Sequence, residues 1–591
     1  MRKPPRESKE GTPTHEPTRR AERAVAAAGP FARVNAWLAR PVGRLGLLVL
    51  WGAILCAPGI LFFNPYEPFA GGHITRDPLW IHRLYSDDFI YVSASRNLSR
   101  TMANLFTPHF THVVPAWRLL TWFLVASAGS LARLPDVLAV ASYGILAATM
   151  VLVGRLTARE TGNQAVGAAA AVGVGTTSLM IAPGTWYSAG QPLWAAFATL
   201  GALWFAQSWR RSPSWLALGL CMASTACAGW LWTIGHLAGP TTAIYLWLDG
   251  RRSCRKAALA PIAATALAVG LSVVLGAGKV DSRTSFHGRT TAEAVRPVEG
   301  VFHTMQAIPE SLVLGNLGLA AETTAGQGAL LTLGLLGLWA IPRFRRGGLG
   351  AFNPIEIAGA TFLAGSYLME WTVRGYLDYK YLRTFNVDMM VPWYHVAPQV
   401  GAVLLVVGWW MGPRKSDAVE SQPASMPLSR KAALGVLAFA AVLAALNRPR
   451  VEDLWIHSAP EMTASEAARF PIPELQRMRA TSLLLDEAAN QRKHLRRYDL
   501  AQKTAAGMGI GRDAIHAAFG RIDAPLLPDR CDGVDLLDLP EHGQPADHAR
   551  VRQALGPYFI LEPPPRPDWY AAGDVWPPPS SKPTSGAAHA P

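Results

Sequence analysis

The sequence predicts an all-α polytopic membrane protein of about eleven transmembrane helices, with outer juxtamembrane helices and a small C-terminal extracytoplasmic α or α/β domain. Composition is the first reason: half of the 591 residues are hydrophobic and 16% are charged, where a soluble chain carries about a quarter. The second is that apolar residues run in blocks of about 16 to 22, and about 20 cross the hydrocarbon core. The third is that Lys and Arg collect in alternate connecting loops, as cytoplasmic loops do.

Residues 1–44 carry ten basic and four acidic groups, are rich in proline, and hold no apolar core ahead of the first span. They read as a basic cytoplasmic tail without a cleaved signal, the first span itself serving for insertion. Residues 45–447 follow as the transmembrane domain, with spans near 45–63, 136–154, 164–182, 191–208, 214–234, 237–248, 257–276, 327–342, 355–373, 393–411 and 432–447. The sixth is short, and Gly235 with Gly239-Pro240 suggests a helix that begins inside the membrane, which is tolerated where backbone faces protein. Gly167, Gly173 and Gly175 suit close helix packing.

The loops after the second, fourth, sixth, eighth and tenth spans hold Arg155/Arg159, Arg210/Arg211, Arg251/Arg252/Arg255/Lys256, Arg343/Arg345/Arg346 and Arg414/Lys415/Arg430/Lys431. Against these fifteen cations stand four acids, while the long opposite loops 64–112, 277–326 and 374–392 hold eleven of each sign. The N-terminus therefore lies inside and the C-terminus outside, in a bacterial-type cytoplasmic membrane. A further apolar stretch, 113–131, would invert every later Arg-rich loop if it crossed. It reads instead as a helix in the outer interface, with Trp117 and Trp122 at headgroup level and Arg118 snorkelling.

The net charge of +14 expresses this asymmetry and attraction to anionic membrane lipid, and calls for no nucleic acid. Cys56, Cys221 and Cys227 fall in spans, Cys254 in an inner loop and Cys531 outside, a pattern without metal-type spacing. Beyond the last span, residues 448–562 have a soluble composition and are expected to form the extracytoplasmic domain, with a helix over 463–505. Residues 563–591 are a Pro-rich tail expected to be disordered.

Chemistry-bearing residues gather in the outer loops. Asp87 and Asp88 follow Ser86 at the start of an expected helix, where they would cap it or hold a general base toward a cavity. His109 and His112 stand three apart before Pro115; on a helix they would share a face and could join an aspartate around a divalent metal ion, or else bond lipid phosphate and backbone. Arg374, Tyr376, Lys380, Arg383, Tyr394 and His395 interleave cations with rings, which suits a lipid-linked phosphate and its sugar or an interfacial belt.

An acidic pair after the first span, a proline-led interfacial helix, then Arg133-Leu134-Pro135 opening a span that closes with Gly154-Arg155-Leu156-Thr157 resembles the integral-membrane C-type (GT-C fold) glycosyltransferases. The likeness is to the protein O-mannosyltransferase and lipid A aminoarabinose transferase branch. It covers about residues 45–210, with Asp-Asp where that family has Asp-Glu and Val113-Val114-Pro115 in place of its Lys-Pro-Pro. The resemblance implies a hexosyltransferase-type enzyme using a polyprenyl-phosphate sugar donor on the outer face. Asp87 or Asp88 would then act as base or metal-holding group, and the acceptor would be a lipid, glycan or protein hydroxyl. The resemblance carries residue roles onto Asp87 and Asp88 only; independently of it, the departing phosphate needs cations, and Arg118, Lys380 and Arg383, with Tyr394 and His395, are expected to hold it.

Two other readings compete. A lipid-linked oligosaccharide polymerase or ligase would depend on His109, His112 and Arg383. A non-catalytic membrane assembly protein would need none of these groups. A transporter is disfavoured, since the spans are nearly free of charge and no internal repeat is evident.

Overall fold

The computed structural model describes residues 30–62, 91–92, 94–95, 97–109, 112–129, 134–180, 183–184, 187–277, 297–317, 325–374, 392–411, 428–457, 530–531 and 534–535. These are mostly helical. In order they are α1 (Pro30–Ala39), α2 (Arg44–Phe62), α3 (Leu98–Asn104), α4 (Pro115–Ala128), α5 (Leu134–Thr161), α6 (Gln164–Gly175), α7 (Gln191–Arg211), α8 (Trp215–Leu231), α9 (Ala238–Trp247), α10 (Arg252–Ala257), α11 (Leu259–Gly276), α12 (Pro297–Ala307), α13 (Ala325–Gly347), α14 (Pro354–Arg374), α15 (Val396–Trp410) and α16 (Arg430–His457). A short antiparallel pairing of Arg530–Cys531 with Val534–Asp535 lies in the C-terminal region.

Each of the eleven apolar segments contains helix, in whole or in part. Among the described residues three stretches are both long and apolar enough to cross a membrane, Val137–Thr161, Arg252–Gly276 and Arg430–Pro449. Four more, Arg44–Gly59, Gln164–Gly175, Trp215–Leu231 and Val396–Trp410, are apolar but shorter. The count of about eleven spans therefore lacks support among the described residues. Several segments break before reaching spanning length: α6 ends at Gly175, and the backbone continues through a 3₁₀ turn at Ser178–Met180. The expected interruption near Gly235 is a 3₁₀ turn at Thr233–Leu237, after which α9 begins.

Large apolar side chains stay exposed along α2, α11, α13 and α16. Leu45 is 75% exposed, Leu330 72% and Leu338 71%. Water would penalise such faces, whereas acyl chains would not.

Inside the bundle, small residues bring backbones together. A Cβ on Gly359 of α14 would fall 2.6 Å from the Gly401 carbonyl of α15, and one on Gly401 2.6 Å from the Leu363 nitrogen. Gly167 of α6 likewise abuts the Gly154 carbonyl of α5, in keeping with the packing role expected of it.

Polar clamps supplement this packing. Arg210 reaches Glu160 at 2.8 Å, Asp249 at 2.6 Å and the Tyr245 hydroxyl at 2.5 Å, joining α5, α7 and α9. Arg251 meets Asp249 at 2.5 Å. Burial alone would raise the Asp249 carboxyl, but hydrogen bonds and charge from Arg251 and Arg210 hold it down to about 2. A second clamp, fully buried, pairs Arg343 of α13 with Glu356 of α14 at 3.1 Å. Trp339 also donates to Glu356, and Arg343 reaches the Trp409 carbonyl of α15. An amide pair forms a third link: Asn316 and Gln399 donate to each other's carbonyl oxygens at 2.7 and 3.1 Å. Asn447 of α16 donates to the Asn316 carbonyl and accepts from the Ser178 backbone N–H.

One expectation needs correction. Within the 113–131 segment Pro115–Ala128 is helical, but Trp117 is fully buried and Arg118 is 3% exposed, so neither sits among headgroups; packing against Tyr91 and Tyr187 replaces the lipid contact. The helix of the last apolar segment, α16, continues past residue 447 to His457. The proposed helix over 463–505 and the tail 563–591 lie outside the described residues.

Candidate functional site: a histidine and aromatic cluster

The irregular turns between helices gather on one side of the bundle. The Ser178–Met180 turn packs on the Pro392–His395 turn, which leads into α15, and the Thr233–Leu237 turn packs on α7 and α14. Backbone of this kind is stable at membrane depth only where protein or a wet cavity satisfies it.

Across these turns lies the first pair of singled-out residues. His109 donates its backbone N–H to the His112 carbonyl at 2.7 Å, and His112 returns the bond at 2.9 Å. His109 and His112 therefore pair in a tight antiparallel bridge, not on the helix that would have given them a shared face. Directly opposed residues in such a bridge still project to one side. Both imidazoles are buried.

The two rings continue into different partners. His109 lies 4.7 Å from Tyr91, whose ring meets Trp117 edge-on at 6.0 Å. Trp117 stacks on Tyr187 at 4.4 Å, and the Tyr187 hydroxyl is 2.9 Å from Thr121 Oγ1. On the other side, His112 Nδ1 is hydrogen-bonded to Thr233 Oγ1 at 2.6 Å, and its ring lies 6.3 Å from Trp232. Trp232 stacks on Tyr394 at 5.8 Å. The next residue, His395, bonds the Tyr367 hydroxyl through Nδ1 at 3.0 Å. Tyr367 then meets His303, and His303 meets Trp371. Thus the His109–His112 pair and the Tyr394-His395 pair, nearly 300 residues apart in sequence, are linked by ring contacts through Trp232, with backbone joining the two members of each pair.

Arg118 is part of the same cluster. Its guanidinium donates to the Thr107 carbonyl at 3.0 Å and lies 5.8 Å from the centre of the Tyr91 ring. It pins the segment before the His109–His112 bridge against α4. Asp87, Asp88, Lys380 and Arg383 lie outside the described residues.

Sequence reasoning missed Trp232 and Thr233, which connect the two histidine sites, and Tyr91, Tyr187 and Tyr367, which extend the cluster on either side. His303 carried a signal, being an ionisable group next to apolar sequence; the others read as ordinary aromatic and hydroxyl residues of a span end. His109 and His112 supply two imidazoles for a divalent metal ion, and among the described residues no group of three His, Cys, Asp or Glu side chains is arranged to hold one.

Chemically, the cluster combines proton-carrying imidazoles, a buried cation and flat apolar walls. Such surroundings suit recognition of an anionic group joined to an apolar chain, with protons exchanged through imidazole. Comparison with protein-family models, curated proteins and solved structures finds no match for the chain.

Proposed function

We propose that the chain is an integral-membrane glycosyltransferase that moves a sugar from a polyprenyl-phosphate carrier to an acceptor hydroxyl on the outer face. The observation that supports this most is the joining of His109 and His112 to Tyr394 and His395 through Trp232 and Thr233. The sequence flanking this cluster contains the acids and cations the reaction needs: Asp88 precedes Tyr91 by three residues, and Arg383 precedes Pro392 by nine.

In the proposed reaction Asp87 or Asp88 takes the proton of the acceptor hydroxyl. The oxygen then attacks the anomeric carbon as the bond to the phosphate oxygen breaks, inverting the configuration. Lys380 and Arg383 bind the departing polyprenyl phosphate, with His395 and Tyr394 beside them. A phosphate is already a good leaving group, so positioning, deprotonation and charge neutralisation suffice.

Mass analysis of envelope glycans and lipids from cells with and without the protein tests the activity, and Asp87→Asn and Asp88→Asn test the base. A glycan lost on deletion and restored by wild type, but not by one or both Asn variants, is the expected outcome. Full restoration by both, at normal expression, would remove the carboxylates from the mechanism.

The buried histidine bridge gives a second reading some support, that of a lipid-linked oligosaccharide ligase or polymerase. In that case His109→Gln and His112→Gln abolish product while the Asn variants retain it.

A further inference from the structure

The opposite end of the bundle carries a charged feature unrelated to this cluster. α1 runs along the start of the chain's last long helix, and the two are joined by backbone: Val42 donates to the Leu428 carbonyl at 2.7 Å, and Arg430 to the Arg40 carbonyl at 3.0 Å. Pro41 and Ser429 form the intervening bridge. The joint gathers Arg40 and Arg44 from one segment with Arg430 and Lys431 from the other. Arg40, Arg44 and Lys431 are exposed and Arg430 is half-buried. Among the described residues, none of the four has a carboxylate partner.

Immediately beyond these cations both helices turn apolar and outward-facing, with Leu45, Leu48 and Leu434 exposed. Trp37, half-exposed, lies beneath the Arg430 guanidinium at 4.5 Å from the ring centre. Indole stacking occupies the flat face of a guanidinium and leaves its in-plane N–H donors free for an oxyanion. Tryptophan also favours the depth at which headgroups meet acyl chains. The patch thus offers uncompensated positive charge at the boundary of a lipid-facing surface, with an aromatic ring at the matching depth.

We propose that this joint is a binding site for the phosphodiester headgroup of an anionic phospholipid. Arg430 and Lys431 contact it from one side and Arg40 and Arg44 from the other, while its acyl chains lie along α2 and α16. The inference rests on the membrane placement of these two helices and is independent of any enzymatic activity. Charge complementarity selects the occupant, because a zwitterionic lipid would bring its own cation into the patch.

Native mass spectrometry of the purified full chain, released from bilayers containing equal phosphatidylglycerol and phosphatidylcholine, provides the test. Wild type should retain phosphatidylglycerol preferentially. Removing two cations, in Arg430→Gln/Lys431→Gln or in Arg40→Gln/Arg44→Gln, should weaken that preference about tenfold or more. Arg345→Gln/Arg346→Gln, at the inner end of α13, should leave it unchanged. Because the two double variants alter different segments, loss in both with unchanged thermal unfolding in neutral detergent separates headgroup binding from misfolding. Equal retention by wild type and both variants would overturn the proposal, as would an equal loss in the Arg345/Arg346 variant. Displacement of the lipid by millimolar inorganic phosphate would instead indicate a free-anion site and would likewise overturn it.

Discussion

Nδ1 of His395 and the hydroxyl of Tyr367 lie 3.0 Å apart, both side chains buried. This bond ties the entry of α15 to α14 at the point where the histidine and aromatic cluster meets the bundle core. It also restrains the imidazole, fixing the orientation of its ring against α14.

Tyr367→Phe should therefore preserve the fold while releasing that restraint. The expected cost is about 1 kcal/mol of stability. The proposed glycan transfer should fall, whereas unaltered transfer would show that the hydroxyl only packs. His395→Gln provides the comparison, since it removes the other partner of the same bond.

Arg210 holds two carboxylates, so its loss leaves both without their shared cation. Arg210→Met should destabilise the protein by about 3 to 5 kcal/mol, the usual cost of breaking a buried pair from one side. Thermal unfolding in detergent measures it.

Asp249 makes the same clamp sensitive to acid. Its carboxyl is lowered from 3.8 to about 2 in the folded chain, so the contribution is complete above about pH 4 and is lost as pH falls toward 2. Asp249→Asn should flatten that part of the stability profile. A wild type whose acid sensitivity between pH 4 and 2 matches the Asn variant would contradict the assignment.

Glu356 and Arg343 permit a sharper test because both are buried. Glu356→Gln alone should destabilise strongly, since it leaves the guanidinium unneutralised. Replacing the pair with Leu and Met should recover much of the loss, as buried ion pairs are often exchangeable for packed apolar groups.

Gly359 and Gly401 predict a purely steric effect. Gly401→Val would force α14 and α15 apart, at a cost of about 1 to 3 kcal/mol or more. Reduced yield of folded protein, with both polar clamps chemically intact, is the expected result.

Much of the helical layout could be read from the chain because apolar blocks and their glycine or proline interruptions are local signals. The break before α9 followed from Gly235 and Gly239-Pro240, and close helix packing at Gly167 from its small size, though not that its partner is Gly154 of α5. Side-chain partnership could not be read in the same way. Arg210 was visible as an inner cation, but Glu160 and Asp249 become its partners only when three helices pack together. Arg118 illustrates the converse: snorkelling assumes a helix alone at an interface, whereas α4 has Tyr91 and Tyr187 against it, so burial prevails. The His109–His112 bridge was missed because spacing of three was weighed only as a helix, and backbone hydrogen bonds across two intervening residues bring the same residues together in a hairpin.

The Arg210 clamp has a mechanical corollary. Ion pairs fasten α5, α7 and α9 at one end of the bundle, whereas the interactions described at the ring-lined end are ring stacking, the Arg118–Thr107 carbonyl bond and hydrogen bonds such as His112–Thr233. Loosening should begin at the ring-lined end while the ionic end acts as the fulcrum, so amide protons around Thr233–Leu237 should exchange with solvent before those near Arg210. A bulky lipid-borne molecule could then enter from the side without the bundle coming apart.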